Sequence, residues 1–336
     1  MTRTKRDIGP FSVEAIGLGC MNIHWGYGPA MTPEDGSDLL LKALDLGYDF
    51  FDTATLYGMG QNENLIGDTL AGHRDAFVLA SKCVLGFNEK GRFLDGRPET
   101  ITQQCEDSLK RLKTETIDLY YLHRPDPNVP IEDSVGALAK LVEAGKIRCI
   151  GLSEMGADTV RRAHDEHPIA ALQTEYALWT RNPEIAVLDT CRELGIAFVA
   201  FSPVGRGFFA DRPINPDTLD EKDLRRVFPR FMEDNWPKNL DLLARTKTMA
   251  ERAGCTVAQL ALAWTIQRDD NIISIPGTTK HQHLKDNFDA RNLVLADDIM
   301  TELDALYAPE AVAGPRYAPP FQATVTTEQF PFEPGA

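Results

Sequence analysis

A short apolar run followed by a stretch of helical periodicity recurs eight times along this 336-residue chain. The apolar runs are Val13–Gly19, Phe50–Asp52, Phe77–Lys82, Ile117–His123, Ile147–Ser153, Ala170–Gln173, Ile196–Ser202 and Asn271–Pro276. They are nearly continuous in hydrophobicity, as strands are when both sheet faces are buried. Between them apolar residues fall at helical spacing. After the first run, Thr32-Pro33-Glu34-Asp35 reads as a helix start, and Leu39, Leu40, Ala43 and Leu44 form the stripe that follows. Parallel strands need long crossovers, and helices supply them. Eight such units predict an α/β fold, a closed (β/α)8 TIM barrel with its reactive groups at the C-terminal ends of the strands. A doubly wound sheet would place GxGxxG after its first strand, and the chain has none. One domain is expected over residues 1–336, with the barrel at about 13–307 and a Pro-, Gly- and Thr-rich tail from about 308. The tail is either draped over the barrel or poorly ordered. Pro203 to Asn239 reads as a long insertion after the seventh strand.

The charge balance removes some partners. Thirty-five Lys and Arg stand against 50 Asp and Glu, a formal charge of −15. Such a surface repels nucleic acid and anionic membrane, so an anionic ligand needs a local cluster of donors. The six cysteines are scattered, with no CxxC pair and no metal-like spacing, which reads as reduced thiols in a cytoplasmic protein. His281 and His283 lack a third ligand nearby, so no metal is expected. The N-terminus has no apolar signal core, and no run reaches transmembrane length. A homo-oligomer is compatible with this pattern.

Polar residues interrupt the apolar runs where a barrel keeps its chemistry. Asp52, Lys82, His123, Ser153, Gln173 and Ser202 end their strands, and Tyr57 follows Asp52 closely. A lysine ending a buried strand needs a partner, and Asp52 on the neighbouring strand is the natural one. Tyr57 then reads as a proton donor. An ammonium ~4 Å from the phenol is worth ~4 kcal/mol at an effective dielectric of about 20. That sets a ceiling of about three pKa units of acidification, which burial opposes. His123 can add a hydrogen bond to the same substrate oxygen. These four groups fit proton donation to a carbonyl oxygen that becomes an alkoxide. No Ser or Cys nucleophile with a paired base is evident. The electrons must come from outside the side chains, and hydride from a nicotinamide fits.

Two later stretches fit phosphate. Phe201-Ser202-Pro203-Val204-Gly205-Arg206-Gly207 is a Gly-rich loop with an arginine, able to wrap a pyrophosphate. Ile275-Pro276-Gly277-Thr278-Thr279-Lys280 leads into a helix whose free amides, with Thr hydroxyls and Lys280, form an anion site. Both belong to the last two strands, where barrels bind phosphate. Trp25, Tyr27, Phe87, Trp179, Phe208 and Phe209 could line an apolar substrate pocket.

These motifs, in this order, resemble the aldo-keto reductases over Val13 to Leu306. The resemblance rests on Gly17-Leu-Gly19-Cys-Met, Phe51-Asp-Thr-Ala-Thr-Leu-Tyr57-Gly, Ser81-Lys82, Asp118-Leu-Tyr-Tyr-Leu-His123, Gly151-Leu-Ser153-Glu, Gln173-Thr-Glu-Tyr176, Phe201-Ser-Pro-Val-Gly-Arg-Gly-Phe-Phe and Ile275-Pro-Gly-Thr-Thr-Lys280. Several of these are similar to the microbial and plant branch that includes perakine reductase. The resemblance implies NADPH-dependent reduction of an aldehyde or ketone, with Asp52, Tyr57, Lys82 and His123 as a tetrad and Tyr57 as general acid. It implies that Ser153 and Gln173 hold the nicotinamide carboxamide, Phe201 stacks on that ring, and Ser202 to Gly207 hold the pyrophosphate. Gly277, Thr278, Thr279, Lys280 and His283 fall to the adenosine 2′-phosphate, and Asp286 and Asn287 to adenine. Gly19, Cys20, Met21, Asp52 and Ile275 complete the implied NADP(H) set. Glu154 stands where many members have Asn, and His283 where several have Arg. The alternatives are a cofactor-binding redox sensor or auxiliary subunit of the same superfamily, and a Schiff-base lyase built on Lys82.

Overall fold

The computed structural model describes residues 4–334 other than 90, 211 and 213. Parts of three readings above lie outside the described residues: 1–3 of the N-terminal segment, 211 and 213 of the insertion, and 335–336 of the tail. Eight parallel strands form one sheet in sequential order. They are β1 (Leu18–Gly19), β2 (Phe50–Asp52), β3 (Val78–Cys83), β4 (Ile117–Leu122), β5 (Ile147–Ser153), β6 (Ile169–Glu175), β7 (Ala197–Phe201) and β8 (Ile272–Ile275). A parallel bridge from Ile16 to Ser274 links the first and last strands, with amide bonds from Gly17 to the Ser274 carbonyl and from Ser274 to the Ala15 carbonyl, both 2.9 Å. The sheet is thereby a nearly closed (β/α)8 barrel.

Helices α1 (Pro33–Leu46), α2 (Gln61–Leu70), α3 (Pro98–Leu112), α4 (Ile131–Glu143), α5 (Ala157–Glu166), α6 (Val187–Leu194), α7 (Trp236–Ala253), α8 (Val257–Gln267) and α9 (His281–Asp289) follow the strands, and α10 (Asp297–Leu306) comes after them. Their limits follow local chemistry. Thr32 accepts from the Asp35 amide to cap α1, Pro33 opens it, and Gly47 ends it at φ 98°. Thr256 and Gln259 form a reciprocal capping box on α8.

The first strand differs from expectation. Val13 belongs to an N-terminal hairpin, Lys5–Ile8 paired with Phe11–Glu14, and the barrel strand itself is only Leu18–Gly19. The hairpin supplies Ile8 and Val13 to the barrel's interior cluster with Phe50, Leu119, Tyr121, Val199 and Ile273. An apolar run that looked like sheet is therefore the plug of the barrel's N-terminal end. Burying each such side chain stabilises the fold by ~1.5–3 kcal/mol. Gly151 makes room for the Tyr121 ring, since a Cβ there would come within 2.3 Å of it. A second hairpin, Leu85–Asn88 with Gly91–Leu94, rises from the end of β3 as part of the rim.

The tail packs onto the barrel. Thr326 donates its amide to the Glu154 carbonyl at 3.0 Å, Glu328 accepts from the Ala157 amide at 2.7 Å, and Arg316 pairs with Glu154 and Glu175. Among the described residues no helix is long and apolar enough to cross a membrane.

Candidate active site

Neighbouring strand ends bring Asp52, Lys82 and His123 to one spot, and the turn after β2 swings Tyr57 over it. Lys82 is fully buried. Its ammonium donates to Asp52 Oδ1, to the Thr53 carbonyl at 2.7 Å and to Tyr57 Oη at 3.2 Å. Asp52 Oδ2 accepts from Gln173 Nε2 at 2.7 Å. The Tyr57 and His123 rings meet edge to face with centroids 6.0 Å apart, and Trp25 stacks on Tyr57 at 6.1 Å. His123 Nδ1 is buried with no hydrogen-bond partner among the described residues.

Burial and charge oppose one another here. Burial pulls the Lys82 ammonium down, but Asp52 and Tyr57 outweigh it and raise Lys82, so the amine stays charged. Burial raises Tyr57, and the nearby ammonium offsets only part of the rise. This corrects the expected acidification. At 3.2 Å the ammonium is worth ~5 kcal/mol to a phenolate at an effective dielectric of about 20, yet enclosure of the ring wins. Burial, then Lys82, Arg124 and Arg92, hold His123 well below the usual imidazole range. At neutral pH the site thus presents an un-ionised phenol, a neutral imidazole and a buried ammonium–carboxylate pair.

Above these groups lies a cavity of about 510 Å³ that continues as a groove across the ends of β7 and β8. Gly19, Met21, Ser153, Gln173, Phe201, Ser202, Pro203, Val204, Arg206, Gly207, Ile275, Gly277, Thr278, Thr279, Lys280, His283, Asp286 and Asn287 line it, with Asp52, Tyr57, His123, Trp25 and Tyr27. Two glycines let the ends of β1 and β8 approach closely beneath it. A Cβ on Gly19 would come within 2.7 Å of the Ile275 carbonyl oxygen, and one on Gly277 within 2.8 Å of the Gly19 carbonyl oxygen. Thr278 Oγ1 accepts from the Lys280 amide at 3.1 Å and so shapes the turn into α9. The first intrahelical bond of α9 runs from Leu284 N to Lys280 O, which leaves the amides of His281, Gln282 and His283 without intrahelical partners.

Several expected site residues stand elsewhere. Cys20 is buried beneath the floor, its thiol donating to the Leu18 carbonyl at 3.7 Å. Gly205 turns inward at φ 57° against Phe209 and Trp179. Trp179 itself stacks on Phe208 at 4.3 Å in a buried aromatic cluster with Phe209 and Phe231, behind the pocket wall. Phe87 sits on the rim hairpin beyond the mouth, 40% exposed, over a separate groove with Phe93 and Gln103. Arg206 reaches the cavity wall, but its guanidinium pairs with Glu175, donates to Tyr27 Oη at 3.2 Å and lies 4.2 Å from the Phe228 ring centre. It is committed to structure, and the amides of Gly205 and Gly207 bond within the loop, to the Ser202 and Val204 carbonyls at 2.9 and 3.1 Å.

The sequence reading missed Asn22, Arg92, Arg124, Tyr317 and Phe321 on the same cavity. Arg124 directly follows His123, and that adjacency was the available signal. Tyr317 and Phe321 come from the tail, and no local pattern marks them. Glu154, set aside because it replaces Asn, is fully buried at φ 58°, pairs with Arg316 and accepts from Thr327 Oγ1 at 3.0 Å. Glu154 and Glu175 follow Ser153 and Gln173 closely, so this buried charge chain ties the tail to two strand ends at the cavity.

A parallel barrel with a phenol, ammonium, carboxylate and imidazole at its mouth, beside a long groove across its last two strand ends, has the form of a carbonyl–alcohol oxidoreductase. The Aldo/keto reductase family model matches residues 15–308, and the chain belongs to that family. It is 42% identical over 311 residues to a probable aldo-keto reductase 1 of Glycine max, covering 91% of this chain and 89% of the relative. The glycerol dehydrogenase AKR11B4 of Gluconobacter oxydans superposes with a TM-score of 0.83 at 29% identity, over 95% of this chain and 99% of that one. An aldo/keto reductase of Klebsiella pneumoniae, solved in complex with NADP and acetate, gives 0.73 at 28% identity, over 94% and 99%.

Proposed function

We propose that this protein reduces an aldehyde or ketone to the alcohol with NADPH, and that Tyr57 is the general acid. The observation that carries the reading is the Tyr57 hydroxyl, 3.2 Å from a buried, charged Lys82 and facing the cavity. The groove fits a dinucleotide. Beneath it Gly19 and Gly277 let the ends of β1 and β8 pack backbone to backbone, which keeps that end of the groove narrow and rigid. The open amides at the start of α9, with Thr278, Thr279, Lys280 and His283, suit the 2′-phosphate, and the loop backbone from Ser202 to Gly207 suits the pyrophosphate. Asp286 and Asn287 would border adenine. Ser153 and the carboxamide of Gln173 would hold the nicotinamide amide, with Phe201 against the ring. When bound, the cofactor supplies hydride to the carbonyl carbon.

The protein's own part is the proton. Tyr57 Oη donates to the substrate oxygen as that oxygen gains charge, and the neutral His123 ring can donate a second hydrogen bond to it. A raised phenol pKa does not hinder this, because an alkoxide is a far stronger base than a phenolate. The raised value keeps the proton on Oη until it is needed. Lys82 then stabilises the phenolate left behind, and Asp52 holds Lys82 charged and in place. Trp25 shields one face of Tyr57 from water. A charged, triply bonded Lys82 is a poor Schiff-base nucleophile, which weighs against the lyase. The complete proton-donating set weighs against a sensor.

The test is loss of NADPH absorbance in the presence of a panel of aldehydes and cyclic ketones. Tyr57→Phe should lower kcat by roughly 10²–10⁴-fold, with NADPH affinity kept. A Tyr57→Phe protein reducing at the wild-type rate would remove the proposed acid.

A further inference from the structure

Two guanidinium groups at the substrate end of the cavity have no task in the reaction above. Arg124 follows His123 at the end of β4, and Arg92 stands on the rim hairpin opposite Phe87 in the register. Both line the cavity with Tyr57 and His123. Arg124 is fixed there. Its Nη1 donates to the His123 carbonyl at 2.7 Å and to Ser153 Oγ at 3.3 Å, and its buried Nε has no partner.

The neighbouring arginines are treated differently. Arg206, Arg225 and Arg316 around the same mouth are each neutralised, by Glu175, Asp223 and Glu154 respectively. Among the described residues neither Arg92 nor Arg124 has a carboxylate partner, although the chain carries 50 acids to 35 bases. Burial and the charge on Arg124 both press Arg92 toward losing its proton. An arrangement that sets like charges together in a half-enclosed cavity costs free energy unless an anion relieves it. The nucleotide phosphates are not that anion, because their donors sit at β7 and β8, while β4 lies on the opposite side of the barrel.

We propose that the substrate is a carboxylate-bearing aldehyde or ketone, held by Arg92 and Arg124 with its carbonyl oxygen toward Tyr57 and His123. Guanidinium forks match a planar carboxylate bidentately. Trp25, Leu56 and Leu85 on the same cavity wall suit the apolar stem between the two ends. This inference rests on the reductase reading for its chemistry and on the arginines for its specificity, and the two parts can fail separately.

The experiment compares 4-carboxybenzaldehyde with benzaldehyde as substrates. In parallel, benzoate and benzyl alcohol are titrated into the NADP-loaded protein by calorimetry. Wild type should favour the carboxylate in kcat/KM on the order of 10- to 100-fold, the effect of one charge-assisted pair, with the preference shrinking as salt rises. Arg92→Gln should collapse that ratio on the order of 10-fold and weaken benzoate to match. Arg124→Gln should do the same, with NADPH affinity measured alongside because Arg124 touches Ser153. Reduction of both aldehydes at a ratio near one, in low salt, overturns the anion proposal and leaves the reductase intact. Tight benzoate binding that Arg92→Gln abolishes, with neither aldehyde reduced, supports the anion site and sinks the reductase. Should the variants misfold, the wild-type ratio and its salt dependence still decide.

Discussion

Replacing Lys82 with methionine separates what the buried ion pair does for stability from what it does for catalysis. Methionine keeps most of the stem but removes three donated hydrogen bonds, to Asp52, the Thr53 carbonyl and Tyr57. Asp52 is only 2% exposed, and among the described residues Gln173 is then its one remaining side-chain hydrogen-bond partner. Stranding a buried charge in this way costs ~3–5 kcal/mol. The carboxyl can escape by taking a proton, since burial already raises Asp52 against the pull of Lys82 and Gln173. A carboxyl raised in the folded state contributes stability that is fully present below its unfolded pKa of about 3.9 and is lost as pH climbs through the folded value. The deficit of Lys82→Met should therefore be smaller at pH 5 than at pH 8. Adding Asp52→Asn should restore on the order of 2–4 kcal/mol by removing the stranded charge. Activity should follow another course, with single and double variants both down ~10²-fold or more in kcat because nothing stabilises the Tyr57 phenolate. Urea denaturation midpoints at the two pH values and NADPH oxidation rates supply the readouts. If Lys82→Met lies within ~1 kcal/mol of wild type at pH 8 and Asp52→Asn restores nothing, the pair is not the buried, mutually dependent unit described here.

Three further outcomes are expected. Because burial raises Tyr57, kcat/KM for reduction should hold level up to pH ~9 and fall only above the free-phenol value of about 10; a basic limb near neutrality would mean that Lys82 dominates after all. Lys280→Ala should raise KM for NADPH ~10-fold or more while barely moving KM for NADH, since an interaction with the 2′-phosphate is absent from NADH; equal effects on both would place Lys280 elsewhere. Arg316→Ala leaves Glu154 short of its cation and Glu175 with Arg206 alone; the stretch around Thr326 to Glu328 should lose amide-exchange protection and KM for NADPH should rise, whereas unchanged exchange there would show that the tail holds without the arginine.

The barrel and three of the four polar groups at its mouth are legible in the sequence because each breaks a local rule. Asp52, Lys82 and His123 end apolar runs where a core would want another aliphatic residue, and the alternation of strand and helix says that such ends converge. The Gly-rich loop after β7 and the Pro-Gly-Thr-Thr turn after β8 stand out because each breaks off an apolar run with small and polar residues. Trp179, Phe208 and Phe209 were misread because an aromatic residue in a loop looks alike whether it faces a ligand or another ring. Cys20 and Gly205 share that ambiguity, since neighbours along the loop point to opposite sides. Val13 reads as barrel strand in the sequence because a plug strand and a barrel strand carry the same apolar pattern.

Local order, through strand periodicity, helix caps and the polar residue at each strand end, determined on its own that this chain forms a barrel and which four groups meet at its mouth. Tertiary packing decided the balance of burial against charge at Tyr57, the commitment of Arg206 to Glu175, the tail's return through Arg316 to Glu154, and the two arginines left without acids among the described residues. Those outcomes depend on distances between segments far apart along the chain. Desolvation and Coulomb energy are set by such distances, which residue order leaves open until the chain closes on itself.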